Sequence, residues 1–190
     1  LITTTTSLTS DSTPTIEGTA EAGSTVELFN GDVSLGTTTA NGGGNFTVTP
    51  SSALPEGSYS LTVTATDAAN TVSGLSEALS ITIDTTAPVI ASLSGSIGGE
   101  VSTYSVNENI VTVETLRANE AVSWSLSGED ASLFEINSNG ELTFKSAPDF
   151  ETPHGGANDD SNSYTVTIKA TDPGNLSDST DLTIKVSDVN

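Results

Sequence analysis

The 190-residue sequence predicts an all-β protein of two tandem seven-stranded antiparallel β-sandwiches. Three observations carry this. The segment Tyr59-Ser60-Leu61-Thr62-Val63-Thr64-Ala65-Thr66-Asp67 returns 105 positions later as Tyr164-Thr165-Val166-Thr167-Ile168-Lys169-Ala170-Thr171-Asp172. In both copies apolar residues alternate with Ser, Thr or Lys, the period of a strand with one face buried. Each copy is followed by a polar loop and a second alternating strand, Leu79–Asp84 and Leu182–Asp188.

The elements follow in order. In the first unit, residues 1–86, strands are predicted near 2–8, 15–19, 25–29, 33–39, 45–49, 58–66 and 78–83, with Asn30-Gly31 as a two-residue turn between the third and fourth. In the second, residues 87–190, they fall near 101–106, 110–115, 121–126, 132–136, 141–145, 163–171 and 179–187, with Asn139-Gly140 marking the fourth turn. Seven short strands with turns every 8–12 residues make an immunoglobulin-like pattern. Trp124 is in phase with Val122 and Leu126 and is expected in the core. Thr85-Thr86-Ala87-Pro88 marks the boundary, because Pro ends a strand and stiffens a short linker.

Composition narrows the function. Four basic residues against 25 acids give a net charge of −21. No cationic surface exists to release counterions from a nucleic acid or to bind anionic lipid. The absence of Cys removes disulfides, thiolate metal sites and cysteine nucleophiles. No apolar run approaches the length of a membrane-spanning helix. Without an initiator Met or a basic-apolar leader, the segment is expected to be a piece of a longer chain. Ser and Thr contribute 59 residues, so the chain folds only because its few apolar residues are ordered along strands.

The strand order fixes which loops share an end. In the second unit, Glu108 follows strand one, Asp149 and Glu151 follow strand five, and Asp188 ends strand seven. All four are expected at the lower end. Asn119, Glu120 and Asp172 belong to the upper end. In the first unit Asp11 and Asp84 fall at the lower end and Asp67 at the upper. Stacking the units end to end is expected to bring Asp11 and Asp84 near Asn119, Glu120 and Asp172. Oxygen-only clusters suit a hard divalent cation, Ca²⁺ above all, since it tolerates irregular geometry with about 6–8 oxygens.

Asn107-Glu108-Asn109, Asp149-Phe150-Glu151, Ala170-Thr171-Asp172 and Asp188-Val189-Asn190 together resemble the motifs of a cadherin repeat of the bacterial cadherin-like kind. The resemblance covers about residues 87–190 and implies Ca²⁺ at the junction with a neighbouring repeat, with Asn190 among the ligands. The loop 152–162 is longer than the family's, and its Asn158-Asp159-Asp160 adds Asp160 as a candidate ligand. The pair Asn119-Glu120 replaces the family's two acids. The first unit resembles the bacterial immunoglobulin-like repeats of giant surface adhesins through Thr13–Ala20, Ala65–Asn70 and Ile83–Pro88. This implies extracellular extender modules at a cell surface, monomeric, partnered by neighbouring repeats of the same chain, with Ca²⁺ as the bound ion. An alternative is an adhesive module that binds a glycan or protein on a target surface. It requires an exposed aromatic platform, and the alternation places most of the nine aromatics inward. An enzyme is not expected. Ser76 lacks the second Gly of a nucleophile elbow, and His154 has no placeable nucleophile.

Overall fold

The computed structural model describes residues 1–92, 103–155 and 161–189. The chain divides into two compact units, Leu1–Thr86 and Ala87–Asn190. Both are β-sandwiches, with no α-helix among the described residues.

The first unit contains β1 (Leu8–Thr9), β2 (Ile16–Thr19), β3 (Thr25–Asn30), β4 (Val33–Thr39), β5 (Asn45–Val48), β6 (Gly57–Thr66) and β7 (Leu79–Ile83). One sheet has the order β1-β7-β6-β3-β4 and faces the pair β2-β5. Alternation along β2, β3, β5 and β6 points Ile16, Val26, Leu28, Phe46, Val48, Leu61 and Val63 into one core. The β3–β4 turn lies one residue beyond the expected Asn30-Gly31: Asn30 pairs with Val33, and Gly31-Asp32 make the turn, with Gly31 at φ 58°.

The second unit contains β8 (Ile90–Ser92), β9 (Thr103–Asn107), β10 (Thr112–Ala118), β11 (Ser123–Ser127), β12 (Phe134–Ile136), β13 (Glu141–Phe144), β14 (Ser163–Thr171) and β15 (Ser177–Ser187). The sheets are β12-β13-β10-β8 and β11-β14-β15-β9. Phe134, Phe144 and Tyr164 meet at the centre with ring centroids 4.3 to 6.0 Å apart, two of the pairs edge to face.

The first strand runs parallel to the last, β1 beside β7 and β9 beside β15, as strand directions that end both at one pole require. Two details depart from the sequence expectation. The first strand is shared between sheets. Ile2 bridges Gly18 while Leu8–Thr9 joins β7, and β8 joins β10 while β9 joins β15. The second unit therefore starts its sheet at Ile90, before the strand expected near 101. Trp124 is only half-buried, packed against the edge of the core.

The internal repeat also extends further than the two alternating strands. Asn41 and Asn137 each accept two backbone N–H groups of their own turn through Oδ1, and each turn closes on a left-handed glycine, Gly44 (φ 78°) or Gly140 (φ 80°). A Cβ on Gly140 would stand 2.2 Å from the Leu116 carbonyl oxygen, so only glycine fits there.

Candidate metal centres

At the lower end of the second unit, β9 runs out at Asn107 and hands the chain to Glu108. The Glu108 N–H continues the parallel pairing by donating to the Ser187 carbonyl (3.0 Å). Asn109 then turns the chain at φ 64° and donates its N–H to the Pro148 carbonyl (2.9 Å). Glu108 is thereby pressed inward, to 3% exposure. Its two carboxylate oxygens accept the N–H of Phe150 (3.3 Å) and of Val189 (3.2 Å). One buried carboxylate thus ties together three chain segments distant in sequence. Glu151 and Asp188 are exposed beside it, and one oxygen from each of the three lies within 4.8 Å of the others. Three such charges repel one another. A cation with oxygen preference reverses that balance, and this all-carboxylate donor set fits Ca²⁺.

Asp149 is not one of these three, although its carboxyl meets the Glu151 side chain. It is exposed, and its Oδ1 accepts the N–H groups of Glu151 (3.0 Å) and Thr152 (3.1 Å). Bonding from Thr152 and Glu151 holds its carboxyl below the usual range.

At the upper end, β14 stops at Thr171 and Asp172 closes the following turn. Its N–H donates to the Leu176 carbonyl (3.0 Å), its Oδ1 accepts the Leu176 N–H (3.0 Å), and Asn175 turns the chain at φ 67°. Asp172 is 4% exposed, and its Oδ2 is buried with no hydrogen-bond partner among the described residues. An orphaned buried oxygen costs about 1–3 kcal/mol, more when charged, which makes Oδ2 a natural cation ligand. Glu120, half-buried after β10, brings a carboxylate oxygen within 4.8 Å of an Asp172 oxygen. The neighbouring Asn119 lends its Oδ1 to the N–H of Val89 (2.7 Å), fixing the entry of the chain.

The first unit repeats the turn without the burial. Asp67 accepts the N–H groups of Ala69 and Thr71 (2.8 Å each) and is half-buried. Asp11 accepts the Thr13 N–H and hydroxyl (2.8 and 3.1 Å). Asp84 accepts the Thr86 N–H (3.3 Å), and its own N–H donates to the Thr9 carbonyl. Asp160 and Asn190 lie outside the described residues.

Two carboxylates matter that the sequence did not single out. Asp130, 4% exposed, accepts the Thr165 N–H through Oδ2 (2.6 Å) and braces the loop after β11 against β14. Glu56 accepts the hydroxyls of Thr85 (3.2 Å) and Thr86 (2.5 Å), and the Thr86 bond above all holds its carboxyl below the ordinary value. Partners 29 and 30 residues away leave no local signal in the sequence.

The β1–β7 sandwich, with its first strand split between sheets, is the part of the chain that matches a known family. Residues 2–85 match the family model of the bacterial Ig-like domain. The match ends where β7 and Asp84 close the first sandwich. No curated protein matches the chain. Among solved structures it is similar to the fibronectin(III)-like modules of Clostridium thermocellum CbhA, at 15% identity and TM-score 0.47, covering 99% of this chain and 94% of that one. It is also similar to mouse Cadherin-23 EC22-24, at 18% identity and TM-score 0.46, covering 100% and 64%. A third is protocadherin gamma B7, cadherin domains 1-4, at 20% identity and TM-score 0.47. The chain covers 99% of its own length in that match and spans half of the protocadherin structure.

Proposed function

We propose that the chain is a pair of calcium-binding extracellular extender modules from a large bacterial adhesin, a spacer stiffened by Ca²⁺ between a cell surface and a binding tip. The observation that carries this is the buried Glu108 with Glu151 and Asp188 gathered against it. The unpartnered Oδ2 of Asp172 beside Glu120 supports a second position. Asp149, Asp11, Asp67 and Asp84 each commit Oδ1 to a turn, and in this reading their second oxygens face the ions at repeat ends. The bacterial Ig-like match over residues 2–85 fits a structural module rather than a catalyst. No helix among the described residues is long and apolar enough to cross a membrane. The partners proposed are neighbouring repeats of the same chain, and the place is the cell surface, where Ca²⁺ is plentiful.

Calorimetric titration with Ca²⁺ tests the ion, with half-saturation expected at about 10⁻⁴–10⁻³ M. Small-angle scattering tests the spacer: the length distribution narrows with Ca²⁺ and broadens with chelator. No heat beyond dilution, together with scattering that ignores chelator, overturns the proposal.

A further inference from the structure

Trp124 does not complete the core. It is the only tryptophan in the chain. It projects from β11, an edge strand whose inward residues Trp124 and Leu126 are both only half-covered, since the facing edge strand β12 is three residues long. The ring leans on bare backbone: its Cε2 lies 3.4 Å from where a Cβ on Gly140 would stand. Beyond it opens a groove of about 360 Å³ lined by Arg117 and Glu120 from the end of β10 and by Ser138 and Asn139 from the β12–β13 turn. The indole N–H makes no hydrogen bond among the described residues and is not sealed from solvent. The rim is held firmly, because the Leu116 N–H donates to the Gly140 carbonyl (2.8 Å) and the Asn139 N–H to Asn137 Oδ1 (2.9 Å). Such preorganisation lowers the ordering cost of binding.

We infer that this groove is a binding site for a neutral pyranose, the terminal sugar of a glycan. A tryptophan face takes the apolar C–H face of a sugar ring. The indole N–H, a guanidinium, an amide and a carboxylate around it offer the mixed donors and acceptors that vicinal hydroxyls need. The groove's volume of about 360 Å³ suits a small ligand. Acidic sugars are disfavoured by Glu120 and by the net charge of −21. The inference does not rest on the calcium proposal, and Glu120 is common to both, so binding is measured with Ca²⁺ and with chelator.

The sole tryptophan makes its fluorescence a reporter of this site. Methyl glucopyranoside, methyl galactopyranoside and methyl mannopyranoside are titrated against the intact chain, with N-acetylneuraminic acid as the charged comparison. At least one neutral sugar gives a saturable spectral shift with half-saturation at about 1–10 mM, the range for a ligand of about a dozen heavy atoms. Arg117→Ala and Asn139→Ala each weaken it about tenfold, and Asn139→Ala leaves melting unchanged. Absence of saturation by all three sugars up to about 100 mM under both conditions overturns the inference. So does a response confined to the acidic sugar, or one that both variants retain.

Discussion

Replacing Glu151 by Gln should change the sign of its effect on stability with calcium. The carboxylate of Glu151 lies within 4.8 Å of oxygens from Glu108 and Asp188, and its side chain accepts no backbone N–H among the described residues. The substitution therefore removes a charge without orphaning a donor. At 4.8 Å, two like charges repel by about 0.9 kcal/mol with water-like screening and by about 3.5 kcal/mol at an effective dielectric of 20. Glu151 and Asp188 are exposed, so the lower figure applies, reduced further by salt. Two such pairs give a stabilisation of about 1–2 kcal/mol in chelator. In Ca²⁺ at a hundredfold excess over Kd, binding stabilises the wild type by about 2.7 kcal/mol. A hundredfold weaker variant keeps only about 0.4 kcal/mol of this, so it becomes the less stable protein. Thermal melting with chelator and with Ca²⁺ reads both arms, at about 4–8 °C per kcal/mol for a unit of this size. Asp130→Asn is the control, expected to destabilise equally in both conditions, because Asp130 braces Thr165 rather than facing the cluster. A Glu151→Gln shift of the same sign and size in both conditions refutes the reasoning and leaves an ordinary acidic surface.

Two further outcomes are expected. The Glu56 carboxyl titrates below its ordinary value because Thr86 and Thr85 bond its ionised form. Its contribution to stability is therefore present above the ordinary value and is lost as pH falls through the lowered one, and an NMR titration should show the midpoint rising in Thr86→Val. Gly140→Ala forces a side chain into a left-handed turn against the Leu116 carbonyl and should cost about 2 kcal/mol or more by urea denaturation. Gly42→Ala, with open space around it, should stay within about 0.5 kcal/mol.

The strands were legible in the sequence because a half-buried strand writes itself in a period of two. Ile16, Val26, Leu61, Val166 and Ile184 stand at positions the alternation assigns inward, and all are buried. The Asn-Gly turns were legible to within one residue because few residues tolerate a positive φ. The convergence of Glu108, Glu151 and Asp188 followed from strand direction alone, since antiparallel connections fix which loops share an end. Parity could not say which loop acid turns inward. Asp149 and Glu151 are two residues apart, yet a local turn commits Asp149 to its own backbone and leaves Glu151 beside Glu108. The depth of Glu108 and Asp172 depends on segments tens of residues away that close over them, as do the bonds of Asp130 and Glu56. Trp124 shows the same division. Its inward phase is a local property, but its cover depends on how far the opposing sheet reaches, and a three-residue β12 leaves the ring on an open groove. Periodicity specifies the face a side chain takes, while only the packed sheets decide what stands opposite it.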